Sequence, residues 1–84
     1  MRAVGKWVQP EHHQVVGAAL TAARRRANMT QQELARRLGK PQSVVSGYEA
    51  GKRRIDVVEF LLITRTLGAD PVEIFTKIMG SLPE

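Results

Sequence analysis

The stretch from residue 30 to residue 54, TQQELARRLGKPQSVVSGYEAGKRR, holds two short helical patterns separated by only three or four residues. So short a link between two short helices forces a sharp corner. The first pattern opens on Thr30-Gln31-Gln32-Glu33, a capping box in which the hydroxyl takes an orphan amide and the carboxylate reaches back to the cap residue. Leu34, Ala35 and Leu38 make its inner face, and Gly39 closes it. The second pattern runs from about Pro41 to Ala50 and ends at Gly51.

The flanking sequence continues in the same style. A first helix is expected from Pro10, a residue suited to the first turn because no amide partner is needed there. Its Val16, Leu20, Ala23 and Ala27 share one face, and Asn28 is a left-handed stop. A fourth helix is expected over Val57–Leu67, with Asp56 and Glu59 forming a capping box and Gly68 ending it. A fifth should span Pro71–Met79, with Asp70 as cap and Glu73 completing the box. No alternating pattern long enough for a strand is present. The expectation is an all-α protein, a five-helix orthogonal bundle around a central helix-turn-helix. It would have an arm at 1–9, one domain at 10–80 and a short tail at 81–84.

Composition narrows the functional classes. Thirteen Lys and Arg against eight Asp and Glu give +5 and a pI near 10.5, a balance that favours a polyanionic partner. Aromatic residues are limited to Trp7, Tyr48, Phe60 and Phe75, too few for a base-stacking platform of the kind single-strand binders use. There is no cysteine, hence no disulfide or thiolate zinc site. No apolar run approaches the roughly 20 residues of a membrane span, and no signal peptide is legible, so a soluble, cytoplasmic protein is expected. Glu11-His12-His13 places neighbours about 100° apart on a helix and has no further His or Cys to complete a metal site. Hydrolase and nucleotide-binding signatures are absent, so neither enzymatic activity nor a metal or cofactor is expected.

The third helix carries the most specific chemistry. Val45, Tyr48 and Glu49 share its inner face. The opposite face presents Gln42, Ser43, Ser46, Gly47 and Ala50, small and polar without the long charged side chains of an ordinary solvated helix. A slim polar helix suits a DNA major groove, where Gln42 could bond adenine through N6 and N7 and the serines could meet bases or phosphates. Lys40, just before the helix, is within reach of a guanine edge or a phosphate. Lys40, Gln42, Ser43, Ser46 and Gly47 are therefore the candidate base readers.

Taken together, Thr30-Gln31-x-Glu33-Leu34-Ala35, Leu38-Gly39 and Val45-Ser46-x-x-Glu49-x-Gly51-x-Arg53 resemble the helix-turn-helix of the phage repressor and Cro family, the Xre-like regulators. The resemblance covers roughly residues 15–78. It implies a lambda-repressor-like domain that binds double-stranded DNA as a sequence-specific regulator, with repression the expected direction. It places phosphate contacts at the start of the second helix, Thr30 and Gln31, and in the loop after the third, Lys52, Arg53 and Arg54. Arg36 and Arg37 stand equally as phosphate ligands or solvated surface. The family pattern also implies that Arg24 pairs with Glu49 across the core. Two departures stand out: family members often carry a longer polar or basic residue at the place of Gly47, and a small hydroxyl cap at the place of Pro41.

Such regulators usually act as two-fold pairs, so a homodimer is expected. The fourth and fifth helices have more apolar residues than one buried stripe needs, and Phe60, Ile63, Ile78 and Met79 are the candidate dimer contacts. Trp7 and Val8 would pack against a helix or across the pair. The competing reading is a protein–protein module, an antitoxin or coactivator-type bridge, that keeps the fold but depends on a partner. A nonspecific or RNA-binding role fits less well, because A-form RNA offers no open major groove to a slim helix.

Overall fold

The computed structural model describes residues 7–83. Residues 1–6 of the expected arm and the last residue of the tail lie outside them. Five helices follow one another: α1 Pro10–Arg26, α2 Gln31–Leu38, α3 Gln42–Glu49, α4 Val57–Leu67 and α5 Pro71–Ser81. The described residues contain no strand. The all-α expectation holds, with α5 running two residues past Met79 into the segment assigned to the tail.

Four of the five helices end in the same way. A residue with positive φ, Asn28 (57°), Gly39 (70°), Gly51 (75°) or Gly68 (69°), turns the chain out. The next amide then closes on a carbonyl five residues back: Met29 on Arg24, Lys40 on Ala35, Lys52 on Gly47 and Ala69 on Thr64. This closure sets the three-residue corner between α2 and α3. At the other ends, the Thr30 oxygen accepts the Glu33 amide at 3.1 Å, and Asp70 accepts the Val72 amide at 2.9 Å. Asp56 and Glu59 complete a reciprocal box, at 2.7 Å and 3.0 Å.

Two of the expected boxes are only half formed. Glu33 turns away from the Thr30 amide, because Arg36 and Arg37 one turn on offer charged donors in its place. Glu73 likewise does not reach back to Asp70. Conversely, α1 starts with a return bond that the sequence did not suggest: the Gln9 amide donates to Nδ1 of His12 at 2.7 Å.

The core joins all five helices. Leu20 and Ala23 of α1, Leu34 and Ala35 of α2, Val45 and Tyr48 of α3, Phe60, Ile63 and Leu67 of α4, and Ile74 and Ile78 of α5 are buried together. Val16, Ala27 and Leu38, expected on inner faces, are only partly buried at its edge. α1 is the spine, packing against α3, α4 and α5, while α2 sits on α3 and α4. At the α1–α3 crossing the backbones touch, and Gly17 is the residue that permits it: a Cβ there would overlap the Tyr48 and Glu49 carbonyls.

Burial also corrects the expected dimer contacts. Phe60, Ile63 and Ile78 fill the core of the chain itself, since the inner stripes of α4 and α5 need them, and of the four candidates only Met79 is exposed. The exposed large apolar residues of these two helices are Val57, Val58, Leu61 and Leu62 on α4, and Val72, Phe75 and Met79 on α5. Trp7 stays 77% exposed.

Candidate nucleic-acid interface

The site is built outward from a buried ion pair. Arg24 of α1 donates to Glu49 of α3 through Nε at 2.6 Å and Nη2 at 3.0 Å, a two-point fork, with both side chains about nine-tenths buried. Its third donor, Nη1, meets the Met29 carbonyl at 2.7 Å, which ties the α1–α2 link to the same cation. The Glu49 hydrogen bond holds the Arg24 guanidinium above its ordinary pKa. Burial pushes the Glu49 carboxyl up, but the bonds from Arg24 and Gln31 outweigh it and hold the group below its ordinary 4.5. Among the described residues no buried side-chain nitrogen or oxygen lacks a partner. A buried charge pair so completed resists rupture, since losing one partner strands the other charge.

Gln31, at the first position of α2, extends this network to the surface. Its Nε2 donates to Glu49 Oε1 at 2.9 Å, and its Oε1 accepts from Gln42 Nε2 at 3.3 Å. Expected as a phosphate ligand, Gln31 is half-buried and joins the core ion pair to the first residue of α3. No local signal could have shown this, because the three residues are 18 and 11 positions apart in the chain.

Gln42, Ser43 and Ser46 are exposed along one side of α3, with Lys40 and Thr30 exposed beside its start. These residues lie side by side on the outer side of the helix pair. Gly47 does not join the row. It is half-buried, and a Cβ built on it would lie 3.3 Å from Cβ of Arg53, so the Arg53 side chain covers it.

The loop after α3 presents Lys52, Arg53 and Arg54, all exposed. Lys52 and Arg54 border a shallow recess shared with Val8, His13 and Gln14, which sets the beginning of α1 beside this loop. Arg53 is held: its guanidinium carbon lies 5.5 Å from the centre of the Tyr48 ring. The Tyr48 hydroxyl donates to Glu59 Oε2 at 2.8 Å, and burial together with that bond keeps the phenol above its ordinary value. Sequence reading missed the Tyr48–Glu59 bond, which joins the buried ring to the capping carboxylate of α4.

Arg36 and Arg37 are engaged with Glu33, Arg36 at 3.1 Å and 2.7 Å and Arg37 at 2.6 Å. The two arginines hold the Glu33 carboxyl down at about 2. Among the described residues, no group of three or more His, Cys, Asp or Glu is placed to hold a metal ion.

A compact helix pair set by a short corner, with a polar outer row on its second helix and cations on both sides, defines a helix-turn-helix domain. The helix-turn-helix family model matches residues 20–74. Among solved structures, an XRE-family like protein from Pseudomonas syringae pv. tomato is 42% identical, with a TM-score of 0.74, over 87% of this chain and 89% of that one. The restriction-modification controller protein C.AhdI from Aeromonas hydrophila is 30% identical, with a TM-score of 0.69, over 75% of this chain and 96% of that one. The clp gene regulator ClgR from C. glutamicum shares the fold at 24% identity and a TM-score of 0.79, over 86% and 94%. No curated protein matches the sequence. The chain belongs to the XRE-like helix-turn-helix family, whose members are DNA-binding regulators and not enzymes. No helix of the described residues is long and apolar enough to cross a membrane.

Proposed function

We propose that this protein binds double-stranded DNA through α3 laid in the major groove and represses transcription by occupying an operator as a homodimer. The observation that carries the reading is the exposed row Gln42, Ser43 and Ser46, braced from behind by the Gln31–Glu49–Arg24 network. The Gln31 oxygen takes a donor of the Gln42 amide, which fixes the rotation of that amide. An amide so fixed can offer its remaining donor and its acceptor to one adenine edge. Ser43 and Ser46 meet neighbouring bases, while Thr30, Lys40, Lys52, Arg53 and Arg54 take phosphates on either side and set the register.

One such domain spans too few base pairs for strong discrimination, which is the physical case for a pair. Val57, Leu61, Val72, Phe75 and Met79 leave an apolar face on α4 and α5, around a groove floored by Phe60 and Ile78. An isologous contact there would cover it and leave α3 of each protomer free for half-sites about one DNA turn, roughly 34 Å, apart.

The same apolar face favours the second reading, a module whose main partner is a different protein. Selection of bound duplexes from a random pool separates the two. The regulator reading requires a recovered palindrome whose half-sites lie about one turn apart. Recovery of no preferred sequence, with binding that simply fades as salt rises, would reject it.

A further inference from the structure

We propose that Gly47 is a seat for Arg53, and that the two residues with the Tyr48 ring form one preset phosphate grip in place of a base-reading side chain at position 47. The inference rests on the DNA-binding reading above and adds to it the device that aims one cation.

Three independent contacts define the seat. The backbone supplies the first: the Lys52 and Arg53 amides both donate to the Gly47 carbonyl, at 3.0 Å and 3.2 Å, so the loop folds back over the last turn of α3. Shape supplies the second. A Cβ at position 47 would lie 3.3 Å from Arg53 Cβ and 3.9 Å from its Cδ, so the aliphatic stem of Arg53 lies across the space a side chain would claim. The third is the Tyr48 ring, which is itself held by Glu59 and faces the guanidinium at 5.5 Å. An exposed arginine normally samples many rotamers, and fixing it on binding has an entropic cost. Here the stem and head are already placed, and the guanidinium keeps its outer donors for a phosphate oxygen.

A glycine inside a helix lowers its stability relative to other residues, so its presence within α3 calls for a local reason. Alanine would need Arg53 to give by only a few tenths of an ångström. A longer side chain would carry γ and δ atoms into the stem and push it off the ring.

The test combines Gly47→Gln, Arg53→Ala and the double variant, measured by binding to a selected duplex and an unrelated duplex over a range of salt. Gly47→Gln should melt no lower than the parent, since glutamine is the better helix former. It should nevertheless lose affinity several-fold on both duplexes, with the salt slope falling by about one unit, as for Arg53→Ala. The double variant should be no weaker than Arg53→Ala alone. Proton resonances of the Arg53 side chain, displaced by the Tyr48 ring in the parent, should return toward ordinary values in Gly47→Gln.

Undiminished affinity in Gly47→Gln, additive losses in the double variant, or a changed sequence preference would each overturn the seat while leaving the regulator reading in place. The last would make position 47 a base reader after all. A parent that binds no duplex at all would overturn both.

Discussion

Gly17 and Tyr48 meet backbone to backbone: a Cβ on Gly17 would stand 2.6 Å from the Tyr48 carbonyl oxygen, with the Glu49 carbonyl nearer still. Neither atom can move aside without shifting α3 as a whole, because both belong to main chain. The helix that carries the polar row is thus held against α1 too closely to admit a Cβ at position 17.

Gly17→Ala should therefore destabilise the fold by about 1–3 kcal/mol through overpacking, even though alanine favours a helix. Gly80→Ala makes the matched control. Gly80 has open space around it in α5, and the same substitution should stabilise by up to about 1 kcal/mol. Urea denaturation of the two variants checks the opposite signs.

Removing one partner of the Arg24–Glu49 fork strands a buried charge. Glu49→Ala should cost about 3–5 kcal/mol, while Glu33→Ala, whose ion pairs lie at the solvent-screened surface of α2, should cost far less. Thermal melts of both variants at neutral pH provide the comparison.

The same carboxylates set the response to acid. The folded-state pKa values of Glu49 and Glu33 lie below the ordinary 4.5, Glu33 at about 2, so the native state binds fewer protons than the unfolded chain. Their stabilisation is complete above about pH 4.5 and is lost as pH falls through the depressed values. Stability should fall steadily from about pH 4.5 toward pH 2, and Glu49→Gln should flatten that fall. A parent with pH-independent stability across this interval would refute the assignment.

Gln31→Ala removes no side chain from the outer row, yet it frees the Gln42 amide. It should relax base preference at the adenine step nearly as much as Gln42→Ala, a change of about 1–3 kcal/mol in discrimination. Lys52→Ala should instead weaken all duplexes alike. Competition binding against single-base operator variants distinguishes the two behaviours.

Phe75→Glu sets a charge on the apolar face of α4 and α5, at a half-exposed ring whose centre lies 6.4 Å from that of Phe60. Sedimentation should show the variant as a folded monomer at concentrations where the parent is a pair. An equal mass for both would remove this face as the dimer contact.

The helices were legible because their punctuation is local. Thr30, Asp56, Asp70, Asn28, Gly39, Gly51 and Gly68 each act within one turn, and sequence order alone places them. The exposed row Gln42, Ser43 and Ser46 was legible for the same reason, since a three-residue corner leaves α3 few ways to turn. What escaped depended on distance in the chain or on competition. Phe60, Ile63 and Ile78 could not be told from surplus apolar residues until the other helices claimed them for the core. Glu33 had two possible partners, and the charged one won over the amide. Gln31 and Arg53 were expected to point outward as phosphate ligands. The Gln31–Glu49 bond arises only once α2 and α3 are packed together, and the Arg53 contacts with Gly47 and Tyr48 only once the loop folds back over the end of α3.

Because Gln42 leans on Gln31, which leans on Glu49, an outermost side chain of α3 is wired to the innermost charge. If α3 reads DNA as proposed, replacing Gln42 alone would take a donor from the exposed Gln31 oxygen and leave the Gln31–Glu49 bond in place. A change of operator would then be expected to proceed by paired replacements at positions 31 and 42, with Arg24 and Glu49 as the fixed hinge-pin behind them.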